Sequence, residues 1–378
     1  MKNKTNVKFL RETIIERVPM ESPNDISGIQ TLFDTHVLEP HEVVAIFGKT
    51  EGNGCVNDFT RAYSIFALTK FFADKFSCSD NEVSTRVSMV MSGGTEGGLS
   101  PHYIVIGVRE HSDGILDQSL SLAIGTAYTR NFKPEEIGRV AMIREVAKAV
   151  SVALKRSGID DKKNVHFVQV KCPLLTSERI TDANSRGETV CTEDTYESMA
   201  YSRGASALGV ALALDEVESN LINNKLVLRD LSIYSEKASA SAGVELLNCE
   251  VIVMGNSMSW NGPLLVSHEI MRDAIDSQSV WQVLSNLEIY NSKQLSKAQG
   301  NLISAVLCKA EPSSNGKIRD ARHIMLDDSD INSTRHSRAL VGGVISGVVG
   351  FTDLFISGGA EHQGPDGGGP LAIIAKKY

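Results

Sequence analysis

Apolar runs of strand type recur along the chain, and three of them end on a lysine: VVAIFGK at Lys49, HFVQVK at Lys171 and LISAVLCK at Lys309. β-Branched residues and flanking glycine mark such runs as strands. A helix is predicted downstream of each lysine, in NDFTRAYSIFALTKFFADKF, ESMAYSRGASALGVALALDEV and STRHSRALVGGVISGVVG. Each carries an arginine in its early turns: Arg61, Arg203 and Arg338. Asn57, Asp194 and Ser333 are the expected N-caps, with Asp194 and Glu197 as a capping box.

A third element follows each helix. Ser92-Gly-Gly-Thr-Glu96, Ser241-Ala-Gly-Val-Glu245 and Ser357-Gly-Gly-Ala-Glu361 share the form Ser-[Gly/Ala]-Gly-x-Glu. Each ends or follows a β-type segment (VSMVM, LSIYSEKASA, DLFI) and precedes another (Tyr103–Val108, Glu250–Gly255, Leu371–Lys377). Lysine and serine are 43, 70 and 48 residues apart, the extra length of the middle unit falling in an expected loop, Leu174–Glu193. One such string in a chain with 31 glycines is unremarkable, but three in the same order of elements mark a repeat. The expected fold is therefore α/β (α+β): three similar units, 1–110, 117–256 and 262–378, around a pseudo-three-fold axis with a single central active site.

Composition narrows the class. The 378 residues are 42% hydrophobic and 22% charged, values of a folded globular chain that exclude disorder, collagen and coiled coil. A net charge of −8 and a pI near 5.7 argue against a nucleic-acid partner. The longest weakly charged stretch, Ala339–Thr352, is too short for a membrane span of roughly 20 residues. The start, MKNKTNVKFLRET, has no apolar signal region, and the six cysteines are scattered without a CxxC pair. A cytoplasmic protein with reduced thiols is expected.

Three units closing on one axis would gather lysines, arginines and serine turns at one site. That suits a small, flat ligand of near three-fold symmetry with several carbonyl oxygens, which guanidinium forks and backbone N–H groups bind well. Serine needs a base, and the chain has neither a G-x-S-x-G elbow nor a detectable Ser-His-Asp arrangement. A lysine crowded by cations in a closed pocket loses its proton easily and can be that base. With oxyanion stabilisation from the Gly-rich turns, the set implies hydrolysis of an amide or imide. Singly, each residue has a plainer reading. A strand-end lysine is usually solvated, a helix arginine usually pairs on the surface, and the repeated glutamate either anchors its turn or serves the site. Nine histidines without HxH or HExxH give no support to a catalytic zinc. The tail Ser357–Pro370 with Glu311 offers oxygens for a hard cation, although a metal-free turn fits the residues slightly better.

Longer strings carry a resemblance. GKTEGNGCVNDFTR (Gly48–Arg61), MSGGTEG (Met91–Gly97), HFVQVKCPLLT (His166–Thr176), YSRGASALG (Tyr201–Gly209), SASAGVE (Ser239–Glu245), DSDINSTRHSRA (Asp328–Ala339) and SGGAEHQGPDGGGP (Ser357–Pro370) resemble the cyanuric acid hydrolase/barbiturase family. The likeness runs from about Asp34 to the C-terminus. It implies hydrolytic ring opening of the s-triazine trione cyanuric acid to carboxybiuret, then biuret and carbon dioxide, without an organic cofactor. By resemblance Arg61, Arg203 and Arg338 bind ring oxygens, while Ser92, Gly93, Ser241, Ala242, Ser357 and Gly358 line the site. The implied Ser-Lys pairs are Lys49 with Ser92, Lys171 with Ser241 and Lys309 with Ser357. Ser241 is the implied nucleophile and Lys171 its base; the residues add only that the middle string alone carries Ala242. A structural Mg²⁺ or Ca²⁺ is implied on Glu311 and the carbonyls of Ala360, Gln363, Gly364, Pro365 and Gly368, and a homotetramer is implied as the assembly. Barbiturase, opening barbituric acid to ureidomalonate, is the alternative, and a non-catalytic trione-binding protein a remoter one. Little transfers to the loops 111–118, 177–191 and 218–232.

Overall fold

The lysine-ended runs are buried along nearly their whole length, as expected of strands covered on both faces, which read as continuous apolar sequence instead of alternating. The computed structural model describes residues 5–116, 119–290 and 293–377. The first unit holds β1 (Thr5–Pro19), α1 (Ser27–Asp34), β2 (Val43–Thr50), α2 (Phe59–Phe76), α3 (Asp80–Arg86), β3 (Ser88–Gly93) and β4 (His102–Leu116). The second holds β5 (Ser121–Tyr128), α4 (Val140–Ser157), β6 (Val165–Pro173), α5 (Ser177–Ser185), α6 (Thr195–Ala213), β7 (Ala238–Gly243) and β8 (Glu250–Ser257). The third holds β9 (Leu264–Met271), α7 (Ser277–Asn286), α8 (Lys297–Gly300) and β10 (Ile303–Ala310). It continues through a short hairpin, β11 (Lys317–Ile318) and β12 (Ala321–Arg322), to α9 (Ser333–Val349), β13 (Phe355–Gly358) and β14 (Gly369–Lys376).

Each unit forms one four-stranded sheet, and the three strand orders match: β1-β4-β2-β3, β5-β8-β6-β7 and β9-β14-β10-β13. In all three, the lysine strand pairs parallel with the serine strand and antiparallel with the strand after it. A parallel pair needs a crossover, and the arginine-bearing helix lies within it. The repeat read from the sequence is thus a repeat of topology.

The units share their interior. One apolar cluster runs through Phe47 and Val90 of the first, Phe167 and Val253 of the second, and Leu307 and Phe355 of the third. The Phe47 and Phe355 rings meet with centroids 5.3 Å apart. Strand β13 packs against β2, β3 and β7, so the serine strands converge.

Local details differ from the sequence reading. The boundary expected after residue 110 falls inside β4, which runs on to Leu116, and residues 117–118 lie outside the described set. β4 continues because β1 pairs with it in unbroken antiparallel register to Leu116. Part of the expected loop after Leu174 is helix α5, capped by Thr176. The caps of α2 and α9 are Asp58 and Asn332, whose side chains accept from the N–H groups of Thr60 and Thr334. Asp194 caps α6, but Glu197 turns to Thr192, leaving the capping box half formed. α6 begins so far upstream that Arg203 lies in mid-helix, not in an early turn.

Candidate active site

The parallel registers set Lys49 beside Ser92, Lys171 beside Ser241 and Lys309 beside Ser357. Residues in register on neighbouring strands project from the same face, so each long sequence separation closes to one strand spacing. The three serines, Gly93, Ala242, Gly358 and the three arginines Arg61, Arg203 and Arg338 line one small, tight cavity. Three arginines and three serines around so little space leave room only for a small polar ligand. Gly54, Met91 and Met199 complete the wall. Sequence reasoning missed them because an apolar wall residue carries no motif of its own. A larger open cleft beside Tyr234 and His268 holds none of the repeated residues.

The lysines stand behind the serines, each at most 1% exposed. Lys49 Nζ donates to Ser92 Oγ and to the Gly93 carbonyl, both at 3.3 Å. Lys309 Nζ donates to Ser357 Oγ at 3.1 Å, the Gly358 carbonyl at 3.0 Å and the Ala240 carbonyl at 2.8 Å. Lys171 departs from this pattern. It donates to the Met91 carbonyl at 3.0 Å and ion-pairs with Glu245 at 2.9 Å. Ser241 Oγ hydrogen-bonds Ser357 Oγ instead, at 2.9 Å. The expected middle pair is therefore adjacent in register, with both side chains engaged elsewhere by groups from other elements.

The repeated glutamates explain the arginines. Arg338 grips Glu96 through two bonds, 2.9 and 2.6 Å, and Arg203 grips Glu361 likewise, each across a boundary between units. The equivalent Arg61–Glu245 pair is absent. Arg61 donates to the Cys55 and Ala242 carbonyls, and its Nε, without a hydrogen bond among the described residues, ion-pairs with Asp58 at 3.9 Å. The signal for these glutamates was present in the repeated string, but a local string cannot distinguish a turn anchor from a partner in another unit.

Electrostatics follow the contacts. Burial, and then Arg338, push the Lys49 ammonium well below its ordinary pKa. Burial, and then Arg203, bring Lys309 down to about 7. Burial alone would raise the carboxyls of Glu96, Glu245 and Glu361, but Arg338, Lys171 and Arg203 respectively outweigh it and hold them below the ordinary value. Glu250 lies opposite Lys171 on β8, where His102 lies opposite Lys49 and the third sheet sets Leu371 opposite Cys308. Burial pushes Glu250 up to about 8, and its Oε2 has no hydrogen-bond partner among the described residues.

Two of the serine turns are crowded at their glycine. A Cβ at Gly93 would stand 1.7 Å from Asp58 Oδ2, and one at Gly358 2.1 Å from Thr334 Cγ2. Ala242 occupies the middle position without such a neighbour crowding it out.

The family model described as amidohydrolase ring-opening protein matches residues 14–376. The chain belongs to this family. As a ring-opening amidohydrolase it is 50% identical over 362 residues to the cyanuric acid amidohydrolase of Enterobacter cloacae, covering 95% of this chain and 98% of that one. It is 49% identical over 360 residues to that of Pseudomonas sp. (strain ADP), with 95% and 98% covered. A solved structure described as "Cyanuric acid hydrolase: evolutionary innovation by structural concatenation" superposes with a TM-score of 0.93 at 48% identity, covering 97% of this chain and 100% of the other. The cyanuric acid hydrolase of A. caulinodans gives 0.89 at 46% identity, with 98% and 100% covered.

The glycine-rich tail of this amidohydrolase fits a hard cation. Glu311 Oε2 is sealed from solvent with no hydrogen-bond partner among the described residues, and burial together with Glu361 raises its pKa. The carbonyls of Ala360 and Pro365 each accept one turn hydrogen bond, leaving a lone pair, and Gly364 and Gly368 sit where a Cβ would strike backbone. Among the described residues no group of three or more His, Cys, Asp or Glu side chains converges on a metal position, so the remaining oxygens would have to come from the backbone. No helix among the described residues is long and apolar enough to cross a membrane.

Proposed function

We propose that this ring-opening amidohydrolase acts on cyanuric acid, hydrolysing one ring amide to give carboxybiuret, which loses carbon dioxide to leave biuret. The observation that carries the reading is the single small cavity lined by three serines and three arginines from three like units, a match in symmetry to a planar ring with three equivalent carbonyls. The cyanuric acid amidohydrolases at 49–50% identity support it.

In this reading Arg61, Arg203 and Arg338 hold the ring oxygens, and Ser241 attacks one ring carbon while Lys171 takes its proton. The backbone N–H groups at Gly93, Ala242 and Gly358 face the oxygens, where charge developing at the attacked carbonyl is stabilised. The ring C–N bond breaks as Lys171 passes the serine proton to the leaving nitrogen, and the opened ring stays on Ser241 as a carbamate ester until water releases it. Three identical amides require the protein to choose one, and the departure of Lys171 and Glu245 from the other two units makes the middle unit different. No organic cofactor enters. A structural Mg²⁺ or Ca²⁺, held by Glu311 and carbonyls of Ala360, Gln363, Gly364, Pro365 and Gly368, would neutralise the carboxylates beside Arg203 and tie the tail to β10. A cytoplasmic homotetramer is part of the proposal.

The test is ring opening of cyanuric acid by the purified protein, with barbituric acid alongside. Turnover of barbituric acid alone would overturn the substrate in favour of a barbiturase. Tight binding of either ring without turnover would favour a binding protein.

A further inference from the structure

Of the three repeated glutamates, Glu245 does not hold an arginine. Glu96 and Glu361 each grip the arginine of another unit, whereas Glu245 ion-pairs with Lys171. In the cyclic order of those two pairs, Arg61 is the arginine that falls to Glu245. Arg61 is close enough to help lower the Glu245 carboxyl, after Lys171, against the rise that burial causes. Its Nε makes no hydrogen bond among the described residues and lies 3.9 Å from the buried Asp58 carboxylate. Glu245 thus has one cation in contact, Lys171, and a second, Arg61, near enough to act on it.

A lysine paired with a carboxylate keeps its proton and cannot accept one from serine. The groups that face Lys171 are Glu245 beyond β7, Glu250 on β8 and Cys172 beside it on β6, with Arg61 of α2 facing Glu245 and also Asp58, 3.9 Å from its Nε. Glu250, at about 8, is mainly neutral at pH 7, and burial likewise raises the Cys172 thiol. Glu245 is left as the anion that controls Lys171.

We propose that Glu245 is a positioning residue that sets the proton on Lys171 by exchanging its carboxylate between Lys171 and Arg61. The inference rests on the reading of Lys171 as the base for Ser241. With Glu245 on Lys171, the lysine is an ammonium that also donates to the Met91 carbonyl. When Glu245 moves to Arg61, the ring of three Arg–Glu pairs is complete. Lys171 then releases one proton to water in the cavity, and its free amine accepts the Ser241 Oγ proton as the serine attacks.

The acidic limb of the kcat/KM–pH profile tests this on the wild type, Glu245→Gln and Arg61→Met, with whichever ring the enzyme opens. Loss of the anion in Glu245→Gln should move the limb to lower pH by roughly 1–3 units. Arg61→Met, which strands Glu245 on Lys171, should move it to higher pH. Glu96→Gln removes the same carboxylate from the first unit and should raise KM without moving the limb. A limb that stays in place in both Glu245→Gln and Arg61→Met, while turnover persists, overturns the proposal. A [ε-13C]lysine NMR titration, with Lys171 assigned by its absence in Lys171→Met, reads the same proton without turnover. A protein that opens neither ring therefore overturns the substrate reading, while the titration still decides the role of Glu245.

Discussion

Ser241 Oγ and Ser357 Oγ, 116 residues apart and in different repeat units, hydrogen-bond at 2.9 Å. Two hydroxyls meet this way only where the serine strands of separate sheets converge, so the contact marks the centre of the pseudo-three-fold arrangement. Either hydroxyl can donate to the other, and the reading of Ser241 as nucleophile is testable at each serine.

Alanine at each serine resolves this. Ser241→Ala should lower kcat by at least about a thousand-fold, as loss of a nucleophile does, and Ser92→Ala or Ser357→Ala by roughly a hundred-fold, as loss of a polar contact to the reacting oxygen does. Steady-state kinetics on cyanuric acid check it. A greater loss at Ser92 or Ser357 would move the nucleophile to that unit.

Arg203 should not tolerate lysine. Its two bonds to Glu361 require a planar fork, and an ammonium can satisfy only one of them while also leaving the ring oxygen. Arg203→Lys should raise KM by about ten-fold or more and lower the melting temperature. An unchanged KM would remove Arg203 from ligand binding.

Glu250 makes stability fall with rising pH. Its folded pKa, about 8, lies above the ordinary 4.5. Its neutral form therefore contributes stability that is fully present below about 4.5 and is lost as pH rises through about 8. Glu250→Gln keeps the shape without the ionisation, so its melting temperature should exceed that of the wild type by a margin that widens from pH 5.5 to pH 8. A difference independent of pH would show that Glu250 does not titrate in this range.

Cation binding at the tail should stabilise the fold by mass action. Mg²⁺ or Ca²⁺ should raise the melting temperature of the wild type, and a chelator should reverse the gain. Glu311→Gln should abolish the response. A response that survives in Glu311→Gln places the cation elsewhere.

The serine turns differ in their tolerance of a methyl group. Gly93→Ala forces Asp58 away from the turn, and Asp58 both caps α2 and accepts from the Gly54 N–H. A loss of about 1–3 kcal/mol in stability is expected, together with lower activity. Ala242→Gly in the middle unit should cost less than about 1 kcal/mol. Denaturant unfolding of both variants is the measurement.

Local chemistry is what the chain states openly. The apolar runs, the glycine-flanked strings and the triple order of lysine, arginine and serine are set by neighbouring residues, so they were readable along one dimension. They were enough to anticipate the repeated topology of three like sheets. The tertiary structure decided the partners. Glu96, Glu245 and Glu361 are alike as strings, yet two of them close on arginines of other units and one on Lys171. Lys171 and Ser241 share a strand register yet turn to Glu245 and Ser357. Buried charges must find opposite charges, and which ones lie within reach depends on how three sheets meet, a relation that no spacing along the chain contains.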